Sequence, residues 1–444
     1  MRAIIVGAGE VGYQIAKFLT QEDIDVVVVD KARDKLKRIS ESLDVAVIEG
    51  EGGSPSVLKE AGAEEADILL AVTDMDETNM IACLVAKAMF KIPRKVARIR
   101  NAEYFANESL LKSLDINPAI SPEFEVAKAI LRIFEVPFAS EVEDFEAGKI
   151  KVIGFKILSE SKFIGKSLKN LDLTKPKILI GAIQRGENVI IPSGDSVIKK
   201  DDIIFLPVKE GDVQAVANSI GGATQPAKSI MLLGGGRIGF YVAKALEERD
   251  VSLKIIEIDN ERCKFLSQVL KKSVILHGDG SDQKLLEEEN IADMDVFAAI
   301  SNNEELNIMS SLIAKSHGAK KVITIVNKTD YLPLANSLGI EVVLSPRLIT
   351  ASTILRYIRR GDILSLTAIA EDKAEIIEAR VRAGSALDRK TLLEAELPDK
   401  SLIGAIIRGN DILIPSGSDK IFKEDKLIIF TLRESVRQVE ELLQ

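Results

Sequence analysis

The turn Gly7-Ala8-Gly9-Glu10-Val11-Gly12 follows the apolar run Ala3-Ile4-Ile5-Val6 without a gap. It returns as Gly234-Gly235-Gly236-Arg237-Ile238-Gly239, at an offset of 227 (234 − 7). A strand that runs straight into G-x-G-x-x-G and then into helical spacing is the opening of a dinucleotide-binding βαβ unit. Gly7 permits the tight turn, Gly9 lets backbone approach a pyrophosphate, and Gly12 lets the helix pack closely on the strand. Free N–H groups and the helix dipole favour a phosphate at that point. The chain is expected to build this unit twice.

The rest of the chain repeats with the loops. Thr73-Asp74-x-x-Glu77-x-Asn79 returns as Ser301-Asn302-x-x-Glu305-x-Asn307, and Ser121-Pro122 returns as Ser345-Pro346. A smaller motif also recurs. Ile183-Gln184-Arg185-Gly186 with Pro192-Ser193-Gly194 matches Ile406-Ile407-Arg408-Gly409 with Pro415-Ser416-Gly417. The order is A-B-A-B, a duplication of domains and not a solenoid. At 444 residues the chain exceeds one compact domain. We expect units at 1–135, 136–221, 226–360 and 361–444, with Gly221–Gln225 as the linker between halves.

Unit A alternates strand and helix. Short Val/Ile-rich runs at Arg2–Val6, Asp25–Val29, Val45–Ile48, Ile68–Ala71, Lys95–Ile99 and Ile116–Ile120 read as strands buried on both faces. The fold class expected is α/β: two Rossmann-type parallel-sheet units, each followed by a small α+β domain. In the small unit the strand-length runs span about Lys149 to Val208, around a Gly/Pro-rich hairpin. A helix from Pro122 to about Phe134 carries Val126, Ile130, Leu131 and Phe134 on one stripe, with a counterpart from Pro346 to about Ile358. Such a helix packs either on its own domain or on a partner; the pattern does not separate the two.

The glycine loops come with further site residues. Asp30 ends the second strand, 18 residues after Gly12 (30 − 12), and Glu257 stands 18 after Gly239 (257 − 239). An acid there is placed to accept hydrogen bonds from ribose hydroxyls, and it disfavours a 2′-phosphate, so NAD is expected over NADP. Lys31 and Arg33 read as surface charges at a helix start. Glu51 and Asp279 follow the third strands, as turn acids or as ligands of a ribose or base edge. Thr73, Asp74 and Ser301 follow the fourth strands, facing the cleft by topology. Arg98, a charge in the fifth strand, is suited to a phosphate or to pairing with Asp74; its place in the second copy is read as Thr324. Glu10 against Arg237 makes the two loops unequal. The arginine suits a more highly charged nucleotide, unless both side chains point to solvent.

Composition excludes several classes. The net charge of −9 argues against nucleic acid held by a general positive field. No apolar run is long enough to span a membrane, and the N-terminal run is too short for a signal segment. Two cysteines, Cys83 and Cys263, exclude a disulfide framework and fit a reducing, cytoplasmic setting. No metal-ligand cluster or Walker lysine appears. Of the two histidines, His277 sits at a strand end where it lines the second site or not, and His317 reads as a helix cap. No catalytic residue is expected. The rival class is an NAD-dependent oxidoreductase, which requires a base beside the nicotinamide.

The series Gly7-x-Gly9-x-x-Gly12, Asp30, Gly50-Glu51-Gly52, Thr73-Asp74-x-x-Glu77-x-Asn79 and Arg98 resembles the RCK domain, also called the KTN or TrkA-N domain. The smaller unit resembles its companion, RCK-C or TrkA-C. Duplication of both across nearly the whole chain resembles the TrkA family of regulatory subunits of potassium uptake systems. The resemblance implies a homotetrameric ring beneath a TrkH-type membrane subunit, gated by NAD(H) and by ATP or ADP. It implies a first NAD site of Gly7, Ala8, Gly9, Glu10, Val11, Gly12, Asp30, Glu51, Thr73, Asp74 and Arg98. It implies a second nucleotide site of Gly234, Gly235, Gly236, Arg237, Ile238, Gly239, Glu257, Asp279 and Ser301. A regulator of a different cation transporter is the other reading within the resemblance.

Overall fold

A computed structural model describes residues 1–21, 24–174, 176–186, 188–220, 226–357, 363–370 and 373–443. The linker expected at Gly221–Gln225 and the helix end expected at Ile358 lie outside the described residues. Four sheets follow one another in the order A-B-A-B. The first lobe holds β1 (Arg2–Val6), β2 (Asp25–Asp30), β3 (Ala46–Glu49), β4 (Ile68–Ala71), β5 (Arg94–Arg98) and β6 (Ala119–Ile120). They pair in parallel in the order β3-β2-β1-β4-β5-β6. Its central strands are buried on both faces, as their unbroken Val, Ile and Leu runs require.

The last strand is shorter than the run Ile116–Ile120 suggests. Asp115 sits in the left-handed region (φ 57) and Pro118 has no N–H, so regular pairing begins at Ala119.

The first antiparallel sheet contains β7 (Ala139–Phe145), β8 (Ile150–Lys156), β9 (Ala182–Arg185), β10 (Asn188–Ile190) and β11 (Ile203–Lys209), in the order β10-β9-β11-β8-β7. This sheet starts at Ala139, upstream of the expected Lys149, because β7 is an edge strand whose acids hide its strand character. Asp144 pairs with Lys151 at 2.9 Å, and Glu143 with Arg132 at 3.1 Å. The second half repeats both architectures. Strands β12 (Ser229–Leu233), β13 (Ser252–Glu257), β14 (Val274–His277), β15 (Val296–Ala299), β16 (Val322–Ile325) and β17 (Val342–Leu344) pair in the order β14-β13-β12-β15-β16-β17. Strands β18 (Ile363–Ile369), β19 (Ala374–Arg380), β20 (Ser401–Arg408), β21 (Asp411–Leu413) and β22 (Lys426–Leu432) pair in the order β18-β19-β22-β20-β21.

The linker helices pack on the opposite lobe of the same chain, an arrangement that neither expected alternative, the helix's own domain or a separate partner, describes. The first, Pro122–Glu135, buries Val126, Ile130, Ile133 and Phe134 in the core of the second lobe, against Val242, Ala243 and Leu246 of that lobe's loop helix, Arg237–Leu246. Each such side chain contributes about 1.5–3 kcal/mol by leaving water. The second, Pro346–Arg356, buries Ala351, Ile354 and Leu355 in the first lobe beside Val11, Ile15 and Leu19 of its loop helix, Glu10–Gln21. The two halves are thus laced together by exchanged helices. The small domains also share a core, in which Phe205 and Phe145 meet Phe430 and Ile376.

Candidate nucleotide-binding cleft

The two glycine loops open into one cleft of about 1260 Å³ between the lobes. Eight basic and seven acidic side chains line it, so the cleft wall is slightly positive in a chain of net charge −9. Each loop is built as the glycine spacing predicts. Gly7 and Gly234 hold positive φ (117° and 109°), and their N–H groups donate to Val29 O (2.8 Å) and Ile256 O (2.9 Å). A Cβ at Gly12 would lie 1.9 Å from Gly7 O, and one at Gly239 would lie 2.1 Å from Gly234 O. Those two glycines serve helix-on-strand packing and do not line the cleft. Gly9 and Gly236 differ, since a Cβ on either meets nothing within 4 Å. They border open space at a helix N-terminus, which is the shape a phosphate needs.

Asp30 and Glu257 brace the loops as well as face the cleft. Asp30 accepts from Ala8 N (2.7 Å) on one oxygen and from Ala32 N (2.8 Å) on the other. Glu257 accepts from Gly235 N (2.7 Å) and Asp259 N (2.9 Å) in the same way. Gly235 therefore serves through its amide and, like Gly12 and Gly239, is absent from the cleft wall. Each carboxylate oxygen keeps a second lone pair for a ribose hydroxyl.

The later strand ends complete the rim. Thr73 and Ser301 are fixed by wholly buried asparagines, a role the repeated motif contained but spacing did not disclose. Asn79 Oδ1 accepts from Thr73 N (2.9 Å) and Oγ1 (2.7 Å), while Nδ2 donates to Thr73 O (3.1 Å) and Arg98 O (2.8 Å). Asn307 repeats this with Ser301 and with Ile325 O (3.1 Å). That correspondence corrects the alignment. The counterpart of Arg98 is Ile325, an apolar residue of the cleft wall, and Thr324 lies behind it, hydrogen-bonded to Ser311. Asp76 and Glu304 cap the next turn, accepting from Arg100 N (2.9 Å) and Asn101 N (2.7 Å), and from Asn327 N (2.7 Å) and Lys328 N (2.9 Å).

Arg98 takes the Asp74 alternative. Its Nη1 donates to Asp74 Oδ1 at 2.9 Å. Its side chain is 13% exposed, that of Asp74 is 71% exposed, and the buried Nε of Arg98 has no partner. Burial, with Arg100 alongside, pulls this guanidinium below its ordinary pKa. A bound anion would relieve that cost, and the second site has no such group. Glu51 is exposed, 3.8 Å from Lys31. Asp279 behaves as a turn acid, accepting from Ser281 N (2.9 Å) and Oγ (2.8 Å), which hold its pKa low. Arg33 is an exposed surface charge, whereas Lys31, also exposed, stands on the cleft wall beside Glu51.

Three further expectations resolve here. Glu10 does not point to solvent: Arg38 meets it at 3.1 Å and Arg347 at 3.6 Å. Arg237 lies 3.7 Å from Glu123. His277 is not part of the cleft wall; its Nε2 contacts Ile258 O at 3.0 Å. His317 caps the helix Glu304–Ser316, near Glu287. Sequence reasoning also passed over Lys35 and Arg262, which line the cleft five residues after Asp30 and Glu257. Arg262 donates to Gly235 O (2.6 Å) and Gly236 O (3.1 Å). The equal spacing after Asp30 and Glu257 was the available signal.

The TrkA-N domain profile matches residues 3–122 and again 230–346, and the TrkA-C domain profile matches 152–221 and 376–444. The Trk system potassium uptake protein TrkA of Halomonas elongata is 37% identical over 452 aligned residues, covering 100% of this chain and 99% of that one. TrkA of Vibrio alginolyticus is 37% identical with the same coverage. Among solved structures, the GsuK channel superimposes with a TM-score of 0.65 at 18% identity, covering 99% of this chain and 78% of that chain. A structure described as the GsuK channel bound to NAD gives 0.63, also at 18% identity, covering 100% and 78%. These two likenesses establish the fold. The chain belongs to the TrkA family of Trk potassium uptake proteins. No helix among the described residues is long and apolar enough to cross a membrane.

Proposed function

Starting from that family membership, we propose that the chain is a nucleotide-sensing regulatory subunit that controls potassium transport through a TrkH-type membrane subunit, and that it is not itself a catalyst. The observation that carries this reading is the shared cleft: both phosphate loops open into it, and both lobes wall it. A ligand seated there touches two bodies at once, so its affinity depends on their separation. A ligand shifts a conformational balance only through such differential affinity, typically by 1–3 kcal/mol of coupling.

The first site, Gly7–Gly12 with Asp30, Glu51, Thr73, Asp74 and Arg98, would hold NAD(H). Gly9 would face the pyrophosphate, Asp30 a ribose, and Arg98 a phosphate or the carboxylates around it. The second site, Gly234–Gly239 with Glu257, Asp279 and Ser301, would take NAD(H), ATP or ADP, with Arg237 and Arg262 supplying positive charge. That GsuK structures are described with NAD and with ADP supports both ligand classes for this fold. The working unit would be a homotetramer, with functional divisions at residues 1–135, 136–221, 226–360 and 361–444. The exchanged linker helices would carry changes in lobe spacing to the small domains.

The test is potassium flux through a co-reconstituted TrkH-type subunit with ATP, ADP, NAD⁺ and NADH added singly. At least one nucleotide should change the flux several-fold; no response to any of them refutes a sensor. Robust hydride transfer to a small substrate would instead favour an oxidoreductase.

A further inference from the structure

Each phosphate loop carries one charged residue, and a linker helix from the opposite lobe brings one charged residue against it. Glu10 Oε2 lies 3.6 Å from Arg347 Nη1, and Arg237 Nη1 lies 3.7 Å from Glu123 Oε1. The positions correspond. Arg237 follows Gly236 as Glu10 follows Gly9, and Arg347 follows Ser345-Pro346 as Glu123 follows Ser121-Pro122. One contact is therefore made twice, with the signs exchanged.

Part of the apolar surface of the same interface is shared by the two lobes. Ala127, Ile130 and Leu131 of the first linker helix correspond to Ala351, Ile354 and Leu355 of the second. Like lobes from two copies could lace together through those residues equally well. The charges could not follow. Pairing of two second lobes would set Arg237 against Arg347, and among the described residues neither has another carboxylate within 4.0 Å. Pairing of two first lobes would set Glu10 against Glu123, whose side chains are only 19% and 10% exposed. Arg38 and Arg100 stand beside them, so this pairing is penalised less.

We propose that this exchange of signs is a pairing code. It makes the first lobe select the second lobe, and it rejects a like lobe from another copy, so that each cleft contains one loop of each kind. Rejection by like charge is how closely related surfaces are commonly kept apart. An aromatic contact supports the same choice: Phe124 packs edge-on against Tyr241 at 5.6 Å, whereas their counterparts are Leu348 and Gln14.

The test uses the full chain carrying E10R and R237E together, which leaves net charge unchanged. In this variant the unlike pairing becomes repulsive at both contacts, and both like pairings become attractive. The pairing is read with F124C and Y241C in every chain, bridged by a short bifunctional thiol reagent. Only unlike lobes bring these positions together. The parent should form the bridge efficiently. The E10R/R237E chain should form it at least about tenfold less, the range that couplings between close charges produce. The quadruple variant E10R/R237E/E123R/R347E, which restores opposite charges with inverted sign, should regain it. Bridging at the parent level in the double variant overturns the proposal. If the double variant does not fold, refolding and bridging by the quadruple variant support the code. A quadruple variant that also fails overturns it.

Discussion

The two kinds of glycine in each loop offer a sharp test, because the structure assigns them opposite duties. At Gly12 an added Cβ would sit 1.9 Å from the carbonyl oxygen of Gly7, where about 3.4 Å is ordinary contact. The obstacle is backbone, so the helix or the loop must move by more than 1 Å. Gly12→Ala should cost about 1–3 kcal/mol of stability, at the upper end of that range because no rotamer can relieve it. At Gly9 the same carbon would meet nothing within 4 Å, and the residue does not occupy the left-handed region. Gly9→Ala should leave stability within about 0.5 kcal/mol, or raise it slightly by restricting the unfolded chain. Its cost should fall on the ligand. A methyl group at the mouth of the loop excludes a pyrophosphate from van der Waals contact, so NADH affinity should fall at least tenfold, or about 1.4 kcal/mol. Denaturant melts and calorimetric titration with NADH and ATP separate the two effects. An unchanged NADH affinity in Gly9→Ala refutes phosphate contact at that loop. A loss of stability above about 1 kcal/mol refutes the open-space geometry. Gly236→Ala applies the same logic to the second loop and shows by difference which nucleotide each loop holds.

Arg98→Ile gives the first site the residue found in the second. The difference in nucleotide preference between the sites should narrow, and NADH titrations of this variant beside Gly236→Ala would reveal it. Asn79→Ala leaves Thr73 and the Arg98 carbonyl without partners at a wholly buried position. It should cost about 3–5 kcal/mol in a denaturant melt, given about 1–3 kcal/mol for each buried group left unpaired. Lys321 gives a pH dependence. Its Nζ is buried and donates to the carbonyls of Pro137 and Ala139 at the exit of the first linker helix, and burial lowers its pKa to about 7. Glu341, whose charge opposes that shift, accepts from Val322 N and pairs with Lys315. Because the folded pKa lies below the unfolded value, the unfolded chain holds the extra proton between pH 7 and about 10. Stability from this group therefore rises with pH across that window. Melts of the parent and of Lys321→Met at pH 7 and 9.5 should show the parent gaining relative to the variant; a constant difference refutes it.

Much of this protein was legible from residue order because glycine and buried β-branched runs have few alternative uses. Gly7 needs positive φ, Gly12 needs a missing Cβ, and Val26–Val29 is buried on both faces, so loop and parallel sheet followed directly. What stayed hidden depended on partners far away in the chain. The acids of β7 look like loop until Lys151 and Arg132 are seen to pair with them. The apolar stripe of Pro122–Glu135 says that the helix is covered but not by what, since any lobe of this kind offers the same groove. Arg98 corresponds to Ile325 at the offset of 227 that the glycine loops set (98 + 227), one residue beyond Thr324, and the hydrogen bonds of Asn79 and Asn307 to the two carbonyls agree with that register. The contrast of Glu10 with Arg237 is visible in the sequence, where on its own it suggests a preference for ligand charge. In three dimensions the same two residues face Arg347 and Glu123, and that second contrast is what gives the first its sense. A duplicated chain inherits two similar apolar interfaces, so hydrophobic burial holds its lobes together while distinguishing them only at a few positions such as Phe124 and Tyr241. A charge reversed at both ends of one contact can, and it does so at the mouth of the cleft where a phosphate would also be felt.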